Sequence, residues 1–149
     1  VLNGDSEVKF EGLQMLESKR VGMLDVFDYQ DYFLKGIKDK NTDLIQHQLF
    51  LKLKYTWSQR KNYSSASFCD KWQGCQNEAQ VDITFISSSA SSCSPSECDY
   101  TEVMELNLSD KFLRSNMEDG FSVSFNSKTS TNEIFITPNY LKGYLKVAN

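Results

Sequence analysis

The chain has 149 residues, of which 40% are hydrophobic and 24% charged, and a formal net charge of −4. That is one domain's length, enough to bury a core without help from a metal or a disulfide. An acidic balance with scattered lysines excludes a nucleic-acid partner that grips the phosphate backbone, and no run of ~18 apolar residues is present to span a membrane as a helix.

Taken in chain order, the pattern is a repeated two-residue alternation, the mark of strands that are wet on one face. Val8 and Phe10 share one phase and Leu13 and Met15 the opposite one. The slip falls at Gly12, where a bulge would keep both pairs facing a core. "RVGMLDVFD" reads as a second strand, and "DYQDYFLKGI" as a short helix or an irregular crossover. "DKNTD" then places Asp39, Asn41 and Asp43 at alternate positions, as a calcium loop does. An EF-hand would require Gly and Glu where Leu44 and Phe50 stand, so a polar turn is the preferred reading over a structural calcium.

"QHQLFLKLKYTW", residues 46–57, is the clearest strand, with His47, Leu49, Leu51, Leu53, Tyr55 and Trp57 on one face. "VDITFI" puts Val81, Ile83 and Phe85 inward, and the serine-rich "SSSASSCSPS" after it reads as an exposed loop. "YTEVMELNL" follows, with Met104, Leu106 and Leu108 inward. "LSDKFLRSNMEDG" offers Ser109 as an N-cap, Phe112 and Leu113 as an apolar patch and Gly120 as a stop, hence one or two helical turns. "GFSVSFN" and "NEIFIT", joined by a polar "SKTST", predict a hairpin. "YLKGYLKV" reads as a last strand, with Leu141, Leu145 and Val147 opposite Lys142 and Lys146. The expectation is an all-β fold: one antiparallel β-sandwich domain over residues 1–149, Ig-like or jelly-roll, with about eight strands and one or two short helical turns.

The four cysteines form two close pairs, Cys69 with Cys75 and Cys93 with Cys98. Five and four intervening residues are loose for zinc, and no C-x-x-C is present. Disulfides remain, and they imply an extracytoplasmic address: secreted, periplasmic or cell-surface. The strand between the clusters spans ~20 Å, so local pairing is expected over crossed pairing. Asn62 and Asn107 open N-x-[ST] triplets, which are compatible with a secretory route.

His47 is the sole histidine, so a serine or cysteine mechanism would have to run through it. Its place in an apolar row reads instead as a structural residue, and no G-x-S-x-G supplies a nucleophile. No catalytic residue, metal or cofactor is assigned. Trp72 lies between Cys69 and Cys75 in a loop that a bridge would make rigid, which marks it as a contact residue for a partner, with Tyr63, Phe68 and Tyr100 beside it. Trp57 continues the core-facing row. These features predict a non-enzymatic exported module for protein recognition or assembly through its end loops. The alternatives are a carbohydrate-binding module and a carboxylate-dependent polysaccharide hydrolase or lyase. A row of exposed aromatics would favour sugar, and a long uncovered edge strand would favour strand addition by a protein partner.

Overall fold

A computed structural model describes residues 6–21, 26–69 and 80–148. The strands are β1 Glu7–Glu11, β2 Met15–Val21, β3 Val26–Asp39, β4 Ile45–Trp57, β5 Ser65–Cys69, β6 Gln80–Asp82, β7 Thr84–Ser91, β8 Cys98–Leu108, β9 Phe121–Asn126 and β10 Thr131–Ile136. The helices are α1 Asp110–Ser115 and α2 Pro138–Ala148. The strands form two antiparallel sheets. One has the order β1-β3-β4-β8-β7, with β2 also paired to β3; the other has the order β10-β9-β5-β6. Both contribute to one apolar cluster: Tyr32, Leu34, Leu49, Leu51, Met104 and Leu106 from the larger sheet, and Ala66, Phe121, Val123, Phe125, Ile134 and Ile136 from the smaller. This is the expected antiparallel sandwich.

Alternation along β4 explains the layering. His47, Leu49, Leu51, Leu53 and Tyr55 are buried, while Lys54 between the last two is exposed. Because facing residues of an antiparallel pair share a side of the sheet, Leu34, Leu49 and Leu106 fall in one row across β3, β4 and β8. On the opposite, outward face Phe33 stacks on Phe50 with ring centroids 4.8 Å apart. Lys35 reaches Glu105 beside them.

The phase slip near Gly12 is a bulge in register terms. Glu11 faces Lys35 and Met15 faces Tyr32, so four residue steps on the edge strand oppose three on β3. The break is repaired from a distance. The Leu34 N–H donates to the Tyr140 hydroxyl at 3.0 Å, and that hydroxyl donates to the Leu13 carbonyl at 2.7 Å. Gly12 lets the phenol in, since a Cβ there would sit 2.6 Å from its oxygen. Leu13 itself points outward and is 79% exposed, against the expectation that it faces the core.

Four other segments correct the sequence reading. "RVGMLDVFD", read as one strand, is divided: Arg20 and Val21 end β2, Val26 to Asp28 begin β3, Val21 stands opposite Val26, and residues 22–25 lie outside the described residues. "DYQDYFLKGI" is part of the fourteen-residue β3, neither helix nor crossover. "YLKGYLKV" is helical, within α2. Its buried residues, Leu141, Tyr144, Leu145 and Ala148, recur at helical spacing and make one inward stripe. Val147 is therefore exposed instead of sharing a face with Leu145. The serine tract is not a loop at first: residues 87–91 complete β7, paired to β8. Phe85, expected inward, is half exposed, and Val81 lies outside the described side chains.

Helix α1 is as expected. The Ser109 hydroxyl accepts from the Phe112 N–H at 3.0 Å, and Gly120, with φ of 72°, ends the following turn. The β9–β10 hairpin also stands where it was expected.

Candidate functional site: a stapled edge and an inter-sheet cleft

Strand β7, sequence TFISSSAS, is the outermost strand of the larger sheet among the described residues. Serine has no strong strand preference, so the pairing partner decides its conformation. β8 offers a long strand with its inner side chains buried, and β7 docks from Thr84 opposite Glu105 to Ser91 opposite Asp99. A one-residue bulge falls between Phe85 and Ser87. Beyond it β7 is regular. The turn to β8 is closed twice. Cys93 and Cys98 form a disulfide, the local pairing expected for that pair. Inside the ring, Ser94 and Glu97 bond through backbone at 2.8 Å, and the Ser94 hydroxyl accepts the Glu97 N–H at 3.2 Å. The result is a stapled hairpin whose outer strand carries no charge and no proline.

The second feature lies between the sheets. Glu17 of β2, Gln30 of β3, Leu53 of β4 and Glu102 of β8 stand in one inward row. Glu102 has no exposed surface. It accepts the Tyr55 O–H at 2.6 Å and the Tyr63 N–H at 3.3 Å, so its buried carboxylate is partnered. Tyr55 in turn accepts the Lys61 N–H at 2.8 Å. Glu17 accepts the Tyr32 O–H at 2.6 Å and an N–H of the Gln30 amide. The Gln30 carbonyl oxygen accepts from Asn132 of β10 at 2.7 Å, which ties the two sheets together at this rim. A cleft of about 770 Å³ opens here, lined by Glu17, Asp28, Gln30, Tyr55, Tyr63 and Asn132 among others. Burial, together with the charges of Glu102 and Asp28, pushes the Tyr63 phenol up to about 12, so it keeps its proton at neutral pH.

A third polar cluster sits at the opposite end of the inward rows. His47 is 1% exposed, with Nδ1 2.7 Å from the Tyr144 hydroxyl and Nε2 2.8 Å from Asp110. Asp110 also accepts from Arg114 at 2.8 Å. Burial lowers the His47 pKa, outweighing the Asp110 carboxylate that would raise it. Burial would raise the Asp110 pKa, but the bonds from Arg114 and His47 hold it below the usual carboxylate range. The pair is therefore a neutral imidazole donating Nε2–H to a carboxylate, with Nδ1 accepting the Tyr144 O–H. That joins β4, α1 and α2. Phe10 packs edge-on against His47. No serine or cysteine of the described residues hydrogen-bonds to this imidazole.

Of the sequence-predicted contact residues, Tyr63 and Tyr100 belong to the core, 5% and 8% exposed. Tyr100 packs against Tyr55, and Arg60 lies 5.8 Å above its ring. Phe68 is half-buried in an aromatic cluster, 4.5 Å from Phe112 and 6.4 Å from Phe121. Phe68 thus packs beneath α1, and neither Tyr63 nor Tyr100 presents a free ring at an end loop. Tyr63 alone also borders the cleft. Trp72, Cys75 and the side chain of Cys69 lie outside the described residues, and so does that pairing. Trp57 packs against the core, with the Lys61 ammonium 5.2 Å from its ring. Asp39 serves its turn. Its carboxylate accepts the N–H groups of Asn41 at 2.8 Å and Thr42 at 3.3 Å, and Asp43 takes the left-handed conformation that closes the hairpin. Among the described residues, no three His, Cys, Asp or Glu side chains converge as a metal site would require.

Comparison with known protein families, with curated proteins and with solved structures finds no match.

Proposed function

We propose that the chain is a non-enzymatic extracytoplasmic module that recognises a partner protein by pairing an extended segment along β7. The observation that carries this reading is the edge itself: Thr84–Ser91 is exposed except at Ser88, and its regular part over 87–91 has no lysine, proline or inward charge to block another strand. An edge of this kind presents unpaired N–H and C=O groups to any strand that approaches, and backbone pairing then supplies affinity. The Cys93–Cys98 bridge holds the hairpin in register before a partner arrives, which lowers the ordering cost of binding. It also supports an oxidising compartment. Among the described residues no helix is long and apolar enough to cross a membrane. The end loops named from the sequence give way in this reading to the sheet edge that one of them staples.

The carboxylate-hydrolase alternative draws little support from the inward acids. Glu17 and Glu102 stand on β2 and β8, three ladder spacings apart across β3 and β4. At ~4.8 Å per spacing their backbones are ~14 Å apart, and the buried Glu102 carboxylate is already taken by the Tyr55 O–H and the Tyr63 N–H.

Selection of displayed random peptides on the folded protein, followed by hydrogen exchange with a selected peptide bound, tests the proposal. Slowed exchange confined to residues 84–91 is the expected result, with at least tenfold weaker binding to the Ser87→Lys/Ser89→Lys variant. Both serines are exposed, so the variant keeps its fold. Peptides that protect another segment, or that bind the variant equally well, would refute it.

A further inference from the structure

We propose that the cleft between the two sheets binds a neutral carbohydrate, independently of the edge at β7. The first ground is an unused polar group. Tyr63 is 5% exposed and borders the cleft, yet its hydroxyl bonds to no described residue. The hydroxyl is not sealed inside the protein; it opens onto the cleft, where a ligand can pair with it. Its proton stays on at neutral pH, so it can both donate and accept.

The second ground is that the walls are already ordered. Glu17 is fixed by Tyr32 and Gln30, and Gln30 is fixed by Asn132 from the facing sheet. Each of these side chains retains acceptor or donor capacity beyond the bond that orients it. A ligand entering the cleft therefore meets groups that need little further ordering, which is the condition for useful affinity from few contacts.

The third ground is the mixture of charge. Glu17, Asp28 and Glu133 line the cleft together with Lys54 and Lys61, so the acids outnumber the lysines and disfavour an anion. A cation would seek the tyrosine face, but the Lys61 ammonium already lies 4.7 Å from the Tyr55 ring and repels a second positive charge. Neutral hydroxyls fit both constraints. They donate to carboxylates and amide oxygens, and accept from the Tyr63 hydroxyl and amide N–H groups. Leu53 and the edge of Tyr55 give the cleft its apolar patch. The volume, about 770 Å³, lies within the range of small-molecule sites.

The test is an array of neutral, acidic and amino-sugar oligosaccharides, with an oligolysine peptide as the cationic control, probed with the wild-type chain and with Tyr63→Phe. The substitution removes only an oxygen without a described partner, so the melting temperature should not move. Neutral oligosaccharides are expected to bind, and Tyr63→Phe to weaken that binding roughly tenfold, the effect of one hydrogen bond. Glu17→Gln, which keeps an oxygen for Tyr32, should weaken it too. Absence of binding by every neutral glycan, preference for an acidic or cationic probe, or equal binding by wild type and Tyr63→Phe would each overturn the proposal.

Discussion

Tyr140→Phe removes one oxygen and keeps the ring. That oxygen accepts the Leu34 N–H and donates to the Leu13 carbonyl. Leu34 is fully buried, so its N–H has no water to turn to. Leu13 is exposed, and its carbonyl can be hydrated. The loss is then the penalty of one orphaned buried donor, about 1–3 kcal/mol. For a chain of this size each kcal/mol shifts melting by roughly 2–4 °C, so a fall of about 4–8 °C is expected at the middle of that range. Gly12→Ala should cost at least as much, because its Cβ would sit 2.6 Å from the same oxygen and must displace it. The two substitutions share one atom and cannot add. In the double variant the phenol oxygen is gone, the tightest remaining contact is 3.1 Å, and the combined loss should fall short of the sum by about 2 kcal/mol. Urea unfolding followed by tryptophan fluorescence gives all four corners of the cycle. A Tyr140→Phe loss under about 0.5 kcal/mol, or strict additivity, would refute the claim that this hydroxyl completes the ladder.

Acid should destabilise the protein in two steps. The folded His47 pKa is lowered, so the unfolded chain binds that proton first, and stability falls as pH drops below about 6.5 towards the folded value. The folded Asp110 pKa is also lowered, so its contribution is present above about 3.8 and is lost below it. Urea midpoints from pH 7.5 to 3 test both, and His47→Gln should flatten the upper step; a wild-type midpoint that rises between pH 7 and 5 would contradict the neutral-imidazole assignment. Breaking the Cys93–Cys98 bridge as the double serine variant should cost about 2 kcal/mol by loop entropy for its six-residue ring and speed amide exchange in β7 more than in β4. Equal protection of the two strands would show that the staple does not hold the edge. Phe68→Ala should destabilise by about 2–4 kcal/mol through loss of its packing on Phe112 and Phe121; a neutral effect would return Phe68 to the surface.

How far the sequence disclosed this arrangement depended on whether one periodicity was uncontested. β4 was legible because its inward row is almost wholly apolar and its outward row mostly polar. β3 was not, because Phe33 on the outward face and Gln30 on the inward face blur the alternation. α2 was misread because Leu141 and Leu145, four apart, satisfy both a two-residue and a 3.6-residue period; only Tyr144 and Ala148, neither weighed as an inward residue, separate them. The serine tract holds no local information about its state, which β8 imposes. Capping chemistry at Ser109 and Gly120 is local and was read directly. The cleft was invisible for another reason: its walls come from β2, β3, β4, the segment carrying Lys61 and Tyr63, and the β9–β10 hairpin, and no short window contains them.

The bond from Tyr140 to Leu13 links residues 127 positions apart. Closing so long a loop is slow and costs entropy before any contact repays it. The rim at β1 and β2 should therefore be among the last regions to zip during folding. It should also be the first to unzip under load, since the arrival or departure of α2 makes or breaks its missing rung. A mechanical pull on the early strands would thus be resisted by a residue drawn from the far side of the sequence.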